Sequence, residues 1–170
     1  MIMTQIITST RNPEQNLERH LAKTLSYIAQ KAIDGITTDY TENQKHVLAQ
    51  TLSSENLFTL LINSYSSFVK EDAQITGFGL LGRNSEKCCE LYSLYVLGQS
   101  RGKGSLILSD MINKSKRMGA ESIKVESFNT RQALSFYAKH GFKATGRDVY
   151  NHNGVLIKCV HMNLDLSNLH

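Results

Sequence analysis

The sequence predicts an α/β domain whose helices pack on a mixed, mostly antiparallel sheet, and three observations carry that prediction. A strand-like run from Cys88 to Leu97 enters a glycine loop that opens a helix. A strand-helix-strand order follows, up to Ser127, and such a crossover joins parallel strands and is normally right-handed. Finally, Asn151-His-Asn-Gly154 separates two strand-like runs, a hairpin signal.

Taken in order, Ile2 to Ser9 reads as an opening strand, and Pro13, the sole proline, sits just before the first helix. Leu17, Leu21, Leu25 and Ile28 recur at helical spacing and carry that helix to about Ala32. A second helix runs from Glu42 to Leu52 with Thr41 or Asp39 near its cap. Leu60 to Val69 and Gln74 to Leu81 read as paired strands joined at Lys70-Glu-Asp72, with Cys88 to Leu97 beside them. Leu108, Met111, Ile112 and Ser115 form the apolar stripe of a helix that ends near Gly119. Ser122 to Ser127 alternates as a strand, Asn129 begins another helix, and Lys143 to Tyr150 pairs with Val155 to Met162 across the hairpin.

The loop Gln99-Ser-Arg-Gly-Lys-Gly-Ser105 is the most informative segment. The first turn of a helix has N–H groups without intrahelical partners, and the macrodipole places partial positive charge there, so an anion is stabilised. Gly102 and Gly104 allow close backbone approach, while Arg101 and Lys103 add charge. A Walker A loop is excluded, because three residues rather than four stand between Gly98 and Gly102, and Lys103 is followed by glycine rather than Ser or Thr. A dinucleotide fingerprint is excluded as well, because Ile107 occupies its third glycine position.

The spacing that fits is Gln-x-x-Gly-x-Gly over Gln99, Gly102 and Gly104, preceded by Leu94-Tyr95-Val96 and followed by Asn129-x-x-x-Ala133-x-x-Phe-Tyr137-x-x-x-Gly-Phe142. In this order and at these separations the motifs resemble the GNAT superfamily of acetyl-CoA-dependent N-acyltransferases, well over residues 60 to 163 and only in helical character before that. The resemblance implies a sheet of six to seven strands flanked by about four helices. In that fold the central parallel pair splays apart and holds the cofactor's pantetheine arm. It further implies acetyl-CoA as co-substrate, bound by Leu94, Tyr95, Val96, Gln99, Ser100, Arg101, Gly102, Lys103, Gly104, Ser105, Asn129, Ala133 and Tyr137. One departure stands out: only Leu97 and Gly98 separate Val96 from Gln99, where the family commonly has four residues, so a tighter phosphate loop is expected.

Length and composition agree. The 170 residues suit one acetyltransferase-like domain over 1–170, and 41% apolar with 20% charged residues is ordinary for a globular chain. No apolar run reaches the roughly 18 residues of a membrane span, and no secretory leader is visible, so a cytoplasmic protein is expected. Cys88, Cys89 and Cys159 lack metal or disulfide spacing and read as reduced strand residues, and the six histidines form no zincin pair, so no metal is expected. The formal charge of +4 is dispersed, which argues against nucleic acid. A monomer or homodimer is expected.

Acyl transfer to an amine needs a proton acceptor, an oxyanion donor and an acid for the departing thiolate. Tyr137 stands where many relatives place that acid, although Ala133, Phe136, Tyr137 and His140 also form a helix stripe that suits a core aromatic. Glu90 falls where the histone acetyltransferase branch carries its base, and alternation places it on the face of Tyr92, Leu94 and Val96; a solvated strand carboxylate is the competing reading. The N–H of Leu94 is the implied oxyanion donor. Asn129 can cap the following helix, bond the pantetheine arm, or both. Tyr92 and Tyr95 either line the acceptor pocket or pack on the sheet. Transfer of acetyl to a primary amine, in a small molecule or a peptide, is the expected activity, with a non-catalytic acyl-CoA-binding regulatory module as the alternative. The acceptor itself stays open.

Overall fold

A computed structural model describes residues 3–5, 15–36, 39–98 and 102–167. The chain runs β1 (Met3–Gln5), α1 (Gln15–Asp34), α2 (Glu42–Thr51), α3 (Ser54–Asn63), β2 (Tyr65–Glu71), β3 (Gln74–Ser85), β4 (Cys88–Val96), α4 (Lys103–Arg117), β5 (Ser122–Phe128), α5 (Arg131–Lys139), β6 (Lys143–His152) and β7 (Val155–Asp165). The seven strands form one sheet in the order β1-β2-β3-β4-β5-β7-β6. Every neighbouring pair is antiparallel except β4 and β5. The mixed, mostly antiparallel sheet with a central parallel pair is as the sequence predicts, with five helices where about four are expected.

Two apolar cores lie on opposite faces. Helices α4 and α5 cover one: Ile107, Leu108 and Met111 pack there with Val69, Leu81, Leu91, Ile123, Val125 and Tyr137. Helices α1, α2 and α3 cover the other, where Leu25, Ile28, Leu48, Leu57 and Leu61 pack on Phe68, Phe78, Leu80 and Ile157. Gly77 and Gly79 bring α4 close to β3, because a Cβ at Gly79 would lie 2.6 Å from Ile107 Cγ2 and 2.9 Å from Met111 Cε.

Several boundaries differ from those the sequence predicts. Leu60 to Asn63 form the last turn of α3 rather than the start of a strand. Ser53 caps that helix by accepting the Asn56 N–H at 3.3 Å, and Leu57 and Leu61, four residues apart, fill the core. The run Leu60-Leu61-Ile62 suits either period, and the cap decides it. The β2–β3 turn falls at Asp72 and Ala73, both with positive φ, so Lys70 and Glu71 remain strand. Helix α1 continues to Asp34 and β3 to Ser85. Of the predicted opening strand, Met3–Gln5 is strand and the rest lies outside the described residues. Thr41 caps α2 through a reciprocal capping box with Gln44. The hairpin is as predicted, with Asn153 (φ 50) and Gly154 (φ 85) supplying the two left-handed residues of a tight turn between strands. All three cysteines are free, as expected.

Candidate active site

β4 and β5 are paired only from Cys88↔Ser122 to Leu91↔Val125. Beyond that point each strand keeps its outer partner: Ser93 to Val96 follow β3 from Leu80 back to Gly77, while Glu126 to Phe128 follow β7 from His161 back to Cys159. The two strands therefore open between Ser93–Val96 and Glu126–Phe128. A β-bulge sits at the vertex, because Leu81 opposes Leu91 and Leu80 opposes Ser93, leaving Tyr92 as an extra residue.

The bulge also reverses which face the β4 side chains occupy. Cys89 and Leu91 before it, and Leu94 and Val96 after it, all join the α4–α5 core, whereas Tyr95 joins the α1–α3 core. Simple alternation from Glu90 to Val96 thus fails. Glu90 pairs across β3 with Gly82, and Tyr92 lies over that glycine, where a Cβ would come within 2.2 Å of its ring. Glu90 and Tyr92 share the α1–α3 face, and Leu94 and Val96 take the other. Proximity is also felt electrostatically: burial first, and then the Glu90 charge, push the Tyr92 phenol upward.

Backbone geometry arms the opening. The Leu97 N–H donates to Thr76 on the β3 side at 2.7 Å. Strand N–H groups alternate in direction, so those of Leu94 and Val96 point away from β3, toward the gap that β5 has left. Leu94 therefore has the N–H orientation that an oxyanion donor needs.

Beside the opening, α4 follows its N-cap Gly102, whose φ of 89 and missing side-chain cap leave the first N–H groups of the helix without a capping partner among the described residues. The first intrahelical bond runs from Leu106 N–H to Gly102 carbonyl, at 3.0 Å. Gln99, Ser100 and Arg101 lie outside the described residues. Two loop residues serve differently from a phosphate cradle made of charge and bare glycine. Lys103 is buried, and its Nζ bonds Glu71 Oε2 at the end of β2 at 2.5 Å, so its charge is already matched. Gly104 makes room for helix packing, since a Cβ there would lie 3.2 Å from Phe136 Cε2. Ser105 Oγ is 3.0 Å from His140 Nε2, and His140 Nδ1 is 2.8 Å from the Phe136 carbonyl. The carbonyl fixes the proton on Nδ1, so Ser105 donates to Nε2.

Across the gap, Tyr137 projects from α5 into an aromatic group with Phe136 and Phe142, at ring separations of 5.2 and 5.3 Å. Its hydroxyl has no hydrogen-bond partner among the described residues, and burial pushes its phenol well above the ordinary range. Tyr95 is also pushed upward, by burial and secondarily by Tyr137, which places the two phenols within electrostatic reach. Tyr95 packs its ring against Phe78 and Phe128, so only its backbone borders the opening. Ala133 sits in the first turn of α5, its N–H taken by Thr130 Oγ1 at 3.1 Å. Thr130, not Asn129, is therefore the cap, because it already provides the required acceptor. Asn129 directly follows β5, with its N–H donated to Tyr40 Oη at 3.0 Å and its side chain unpaired among the described residues.

Sequence reasoning missed three features. Tyr40 reaches the end of β5 from a loop 89 residues away, which no local pattern signals. The Ser105–His140 bond joins two helices. A polar group made of Glu126, Asp148, Tyr150, Cys159 and His161 spans β5, β6 and β7; only the alternation of Lys124 and Glu126 hinted at an outward face there. Among the described residues no group of three His, Cys, Asp or Glu side chains is placed to hold a metal ion, and no helix is long and apolar enough to cross a membrane.

A mixed sheet with a single parallel pair that opens midway beside an exposed helix N-terminus defines a distinct class of α/β protein. The chain belongs to the acetyltransferase (GNAT) domain family, whose pattern matches residues 36–166. It is 35% identical over 83 residues to an uncharacterized N-acetyltransferase of Schizosaccharomyces pombe, a match covering 47% of this chain and 49% of that protein. The chain thus spans about half the length of the curated relative it matches. Among solved structures, a GCN5-related N-acetyltransferase from Rhodopseudomonas palustris superposes with a TM-score of 0.74 at 19% identity, covering 95% of this chain and 98% of that one. A PaiA N-acetyltransferase from Thermoplasma acidophilum, solved with coenzyme A, gives 0.69 at 18% identity over 97% and 99%. At these identities the likeness shows the fold.

Proposed function

We propose that this protein is an acetyl-CoA-dependent N-acetyltransferase acting as one domain over 1–170, which moves the acetyl group to a primary amine by direct attack. The observation that carries the reading is the β4–β5 opening, with the N–H groups of Leu94 and Val96 aimed into it and the first-turn amides of α4 beside it. A thioester arm lies between the strands with its pyrophosphate at the backbone amides of the first turn of α4, and the Gln99-x-x-Gly102-x-Gly104 spacing that leads into that turn is the sequence signature supporting this contact. The coenzyme A held by the Thermoplasma acidophilum relative supports the same ligand here.

In this reading the ammonium of the acceptor gives one proton to a base, for which Glu90 on the α1–α3 face is the candidate. The amine lone pair then attacks the thioester carbon, and the developing oxyanion takes the Leu94 N–H. As the tetrahedral species collapses the C–S bond breaks. The thiolate accepts a hydrogen bond or proton from Tyr137, and the nitrogen's second proton restores it. Asn129 bonds the pantetheine arm. The three free cysteines fit a reducing, cytoplasmic setting.

Calorimetry and thermal unfolding test the cofactor assignment. Coenzyme A at about 100 times its Kd should add about 2.7 kcal/mol, a rise of about 5 to 10 °C in Tm. A flat titration together with an unmoved Tm at millimolar coenzyme A sinks the reading. Free-thiol release with a panel of primary amines then separates an enzyme from an acyl-CoA-binding regulatory module, which binds without turnover.

A further inference from the structure

His140 closes α5 and ties it to the first turn of α4. As the C-cap of its helix it stacks on Phe136 with ring centroids 4.6 Å apart, and the Phe136 ring lies 3.2 Å from where a Cβ on Gly104 would stand. The imidazole is thereby fixed between the two helices. Its Nδ1 is 2.8 Å from the Phe136 carbonyl, and its Nε2 is 3.0 Å from Ser105 Oγ. A carbonyl only accepts, so Nδ1 carries a proton whether the ring is neutral or charged. What the charge state changes is the bond to Ser105.

A neutral ring has a lone pair on Nε2 and takes the Ser105 hydroxyl proton, so Oγ then presents only lone pairs to any other group. A protonated ring donates from Nε2 to Oγ, and the hydroxyl proton is released to point elsewhere. Helix geometry decides where. Ser105 is the third residue of α4, and its N–H belongs to the first turn, which has no capping partner among the described residues. Helical side chains tilt toward the N-terminus of their helix, so Oγ lies alongside those amides. An anion seated on the amides therefore meets the hydroxyl as well. Beside a neutral ring it meets oxygen lone pairs, and beside a protonated ring it meets an O–H backed by a cationic donor.

No other charged group among the described residues bonds to either partner. Lys103 at the start of α4 is paired with Glu71, and Asp110 farther along accepts from the Tyr65 hydroxyl at 3.0 Å. Lys114, Lys116 and Arg117 stand at the opposite end of α4, and Arg131 at the opposite end of α5. Lys139, beside His140, and Lys143, at the start of β6, are exposed. Tyr137 stays neutral because burial raises its phenol.

We propose that His140 is a positioning residue for the cofactor pyrophosphate: it sets the direction of the Ser105 hydroxyl, and its protonated form turns that hydroxyl toward the anion. Solvent supplies the proton to Nε2, the new N–H bonds Oγ, and the Ser105 proton stays on its own oxygen. Pyrophosphate binding and protonation of His140 favour each other by the same factor. Cofactor affinity thus rises as pH falls through the range in which imidazoles gain charge. The proposal rests on the acyl-transfer reading for the place of the pyrophosphate.

The probe is 3′-dephospho-coenzyme A, because the 3′-phosphate of coenzyme A itself titrates near neutrality and would mask the effect. Calorimetry at about pH 5.5 and about pH 8 brackets the range in which histidines change charge. The parent should bind about tenfold more tightly at the lower pH, since a hydrogen bond backed by a charged group is gained. His140→Gln keeps a hydrogen-bonding side chain without a titrating proton and should lose most of that ratio. Ser105→Ala should weaken binding about tenfold at the lower pH and less than about twofold at the higher, where the hydroxyl proton is committed to the ring. A merely structural contact would weaken binding alike at both. Equal pH ratios in the parent and a His140→Gln protein that keeps its Tm, or a Ser105→Ala loss that is the same at both pH values, overturns the proposal and leaves the cofactor reading intact. No binding heat at either pH, with an unmoved Tm, removes the cofactor reading and the proposal with it.

Discussion

The Tyr40 hydroxyl accepts the Asn129 N–H at 3.0 Å while donating to the Lys158 carbonyl at 2.8 Å. It thereby inserts into the β5–β7 ladder where that pairing runs out, since the direct Asn129 N–H to Lys158 carbonyl distance is 3.4 Å. The loop before α2 is in this way bonded to the β5 edge of the opening, and Tyr40 stacks edge-on against Phe128 at 6.0 Å.

Tyr40→Phe should cost about 1 to 3 kcal/mol, because a largely buried carbonyl and N–H lose a shared partner and only the long direct bond can replace it. The KM for acetyl-CoA should rise a few-fold while the Tm response of the variant to saturating ligand persists. Urea unfolding and initial-rate kinetics check both; an unchanged midpoint shows that the bridge contributes nothing.

Alkaline stability follows from the same residue. Burial pushes Tyr40 up to about 12 from an ordinary value of 10.0, and Tyr95 and Tyr137 are raised by burial as well. A phenol raised on folding keeps its proton while the unfolded chain ionises. The stability it contributes is therefore complete below pH 10 and falls as pH climbs toward the folded value. Unfolding midpoints should drop between about pH 9.5 and 11.5, and the slope should be shallower in Tyr40→Phe. Parallel slopes in the two proteins refute this.

Lys103 and Glu71 should respond asymmetrically. Removing Lys103 leaves Glu71 half-exposed and able to hydrate, whereas removing Glu71 strands a buried ammonium. Glu71→Ala should thus destabilise by roughly 2 to 3 kcal/mol and Lys103→Ala by roughly 1, after discounting for the exposed side of the pair. Coenzyme A affinity should change less than about threefold in Lys103→Ala. A loss of tenfold or more would return Lys103 to the phosphate site.

Much of this architecture is legible in the sequence because it is periodic. The stripe from Leu108 to Ser115 and the Asn153-Gly154 turn are local signals, and each specifies its element without help from the rest of the chain. The parallel pair follows from chain order. What periodicity conceals is any place where a strand breaks its own period: the extra residue at Tyr92 moves Leu94 and Val96 to the face opposite Glu90. Long-range polar contacts are equally hidden. Lys103 reads as loop charge until β2 brings Glu71 to it, and nothing near Asn129 announces that the Tyr40 hydroxyl will accept its N–H.

Ala73 offers a stability test remote from the site. Its φ of 66 puts an exposed alanine in the left-handed region, which costs an L-residue about 1 to 2 kcal/mol. Ala73→Gly removes that strain and gives back part of it as unfolded-state entropy. A net gain of about 0.5 kcal/mol, or roughly 1 to 2 °C in Tm, is expected with unchanged coenzyme A binding. A fall in Tm would show that the turn is not strained.

Tyr137→Phe separates catalyst from packing. The ring fills its place between Phe136 and Phe142, and the hydroxyl spends no hydrogen bond on the described residues, so the variant should match or slightly exceed the parent in Tm and bind coenzyme A as well. Turnover should fall about 10²-fold, the low end for general acid catalysis, because a thiolate leaves fairly well unaided. Burial raises the phenol, so it stays protonated through the neutral and mildly alkaline range and works as a hydrogen-bond donor to the thiolate. The rate of the parent should therefore show no alkaline loss attributable to Tyr137 below about pH 10, and the ratio of parent to variant rates should stay flat there. Equal turnover by the two proteins would make Tyr137 a core aromatic, and a ratio that declines above neutrality would mean that its proton leaves earlier than burial allows.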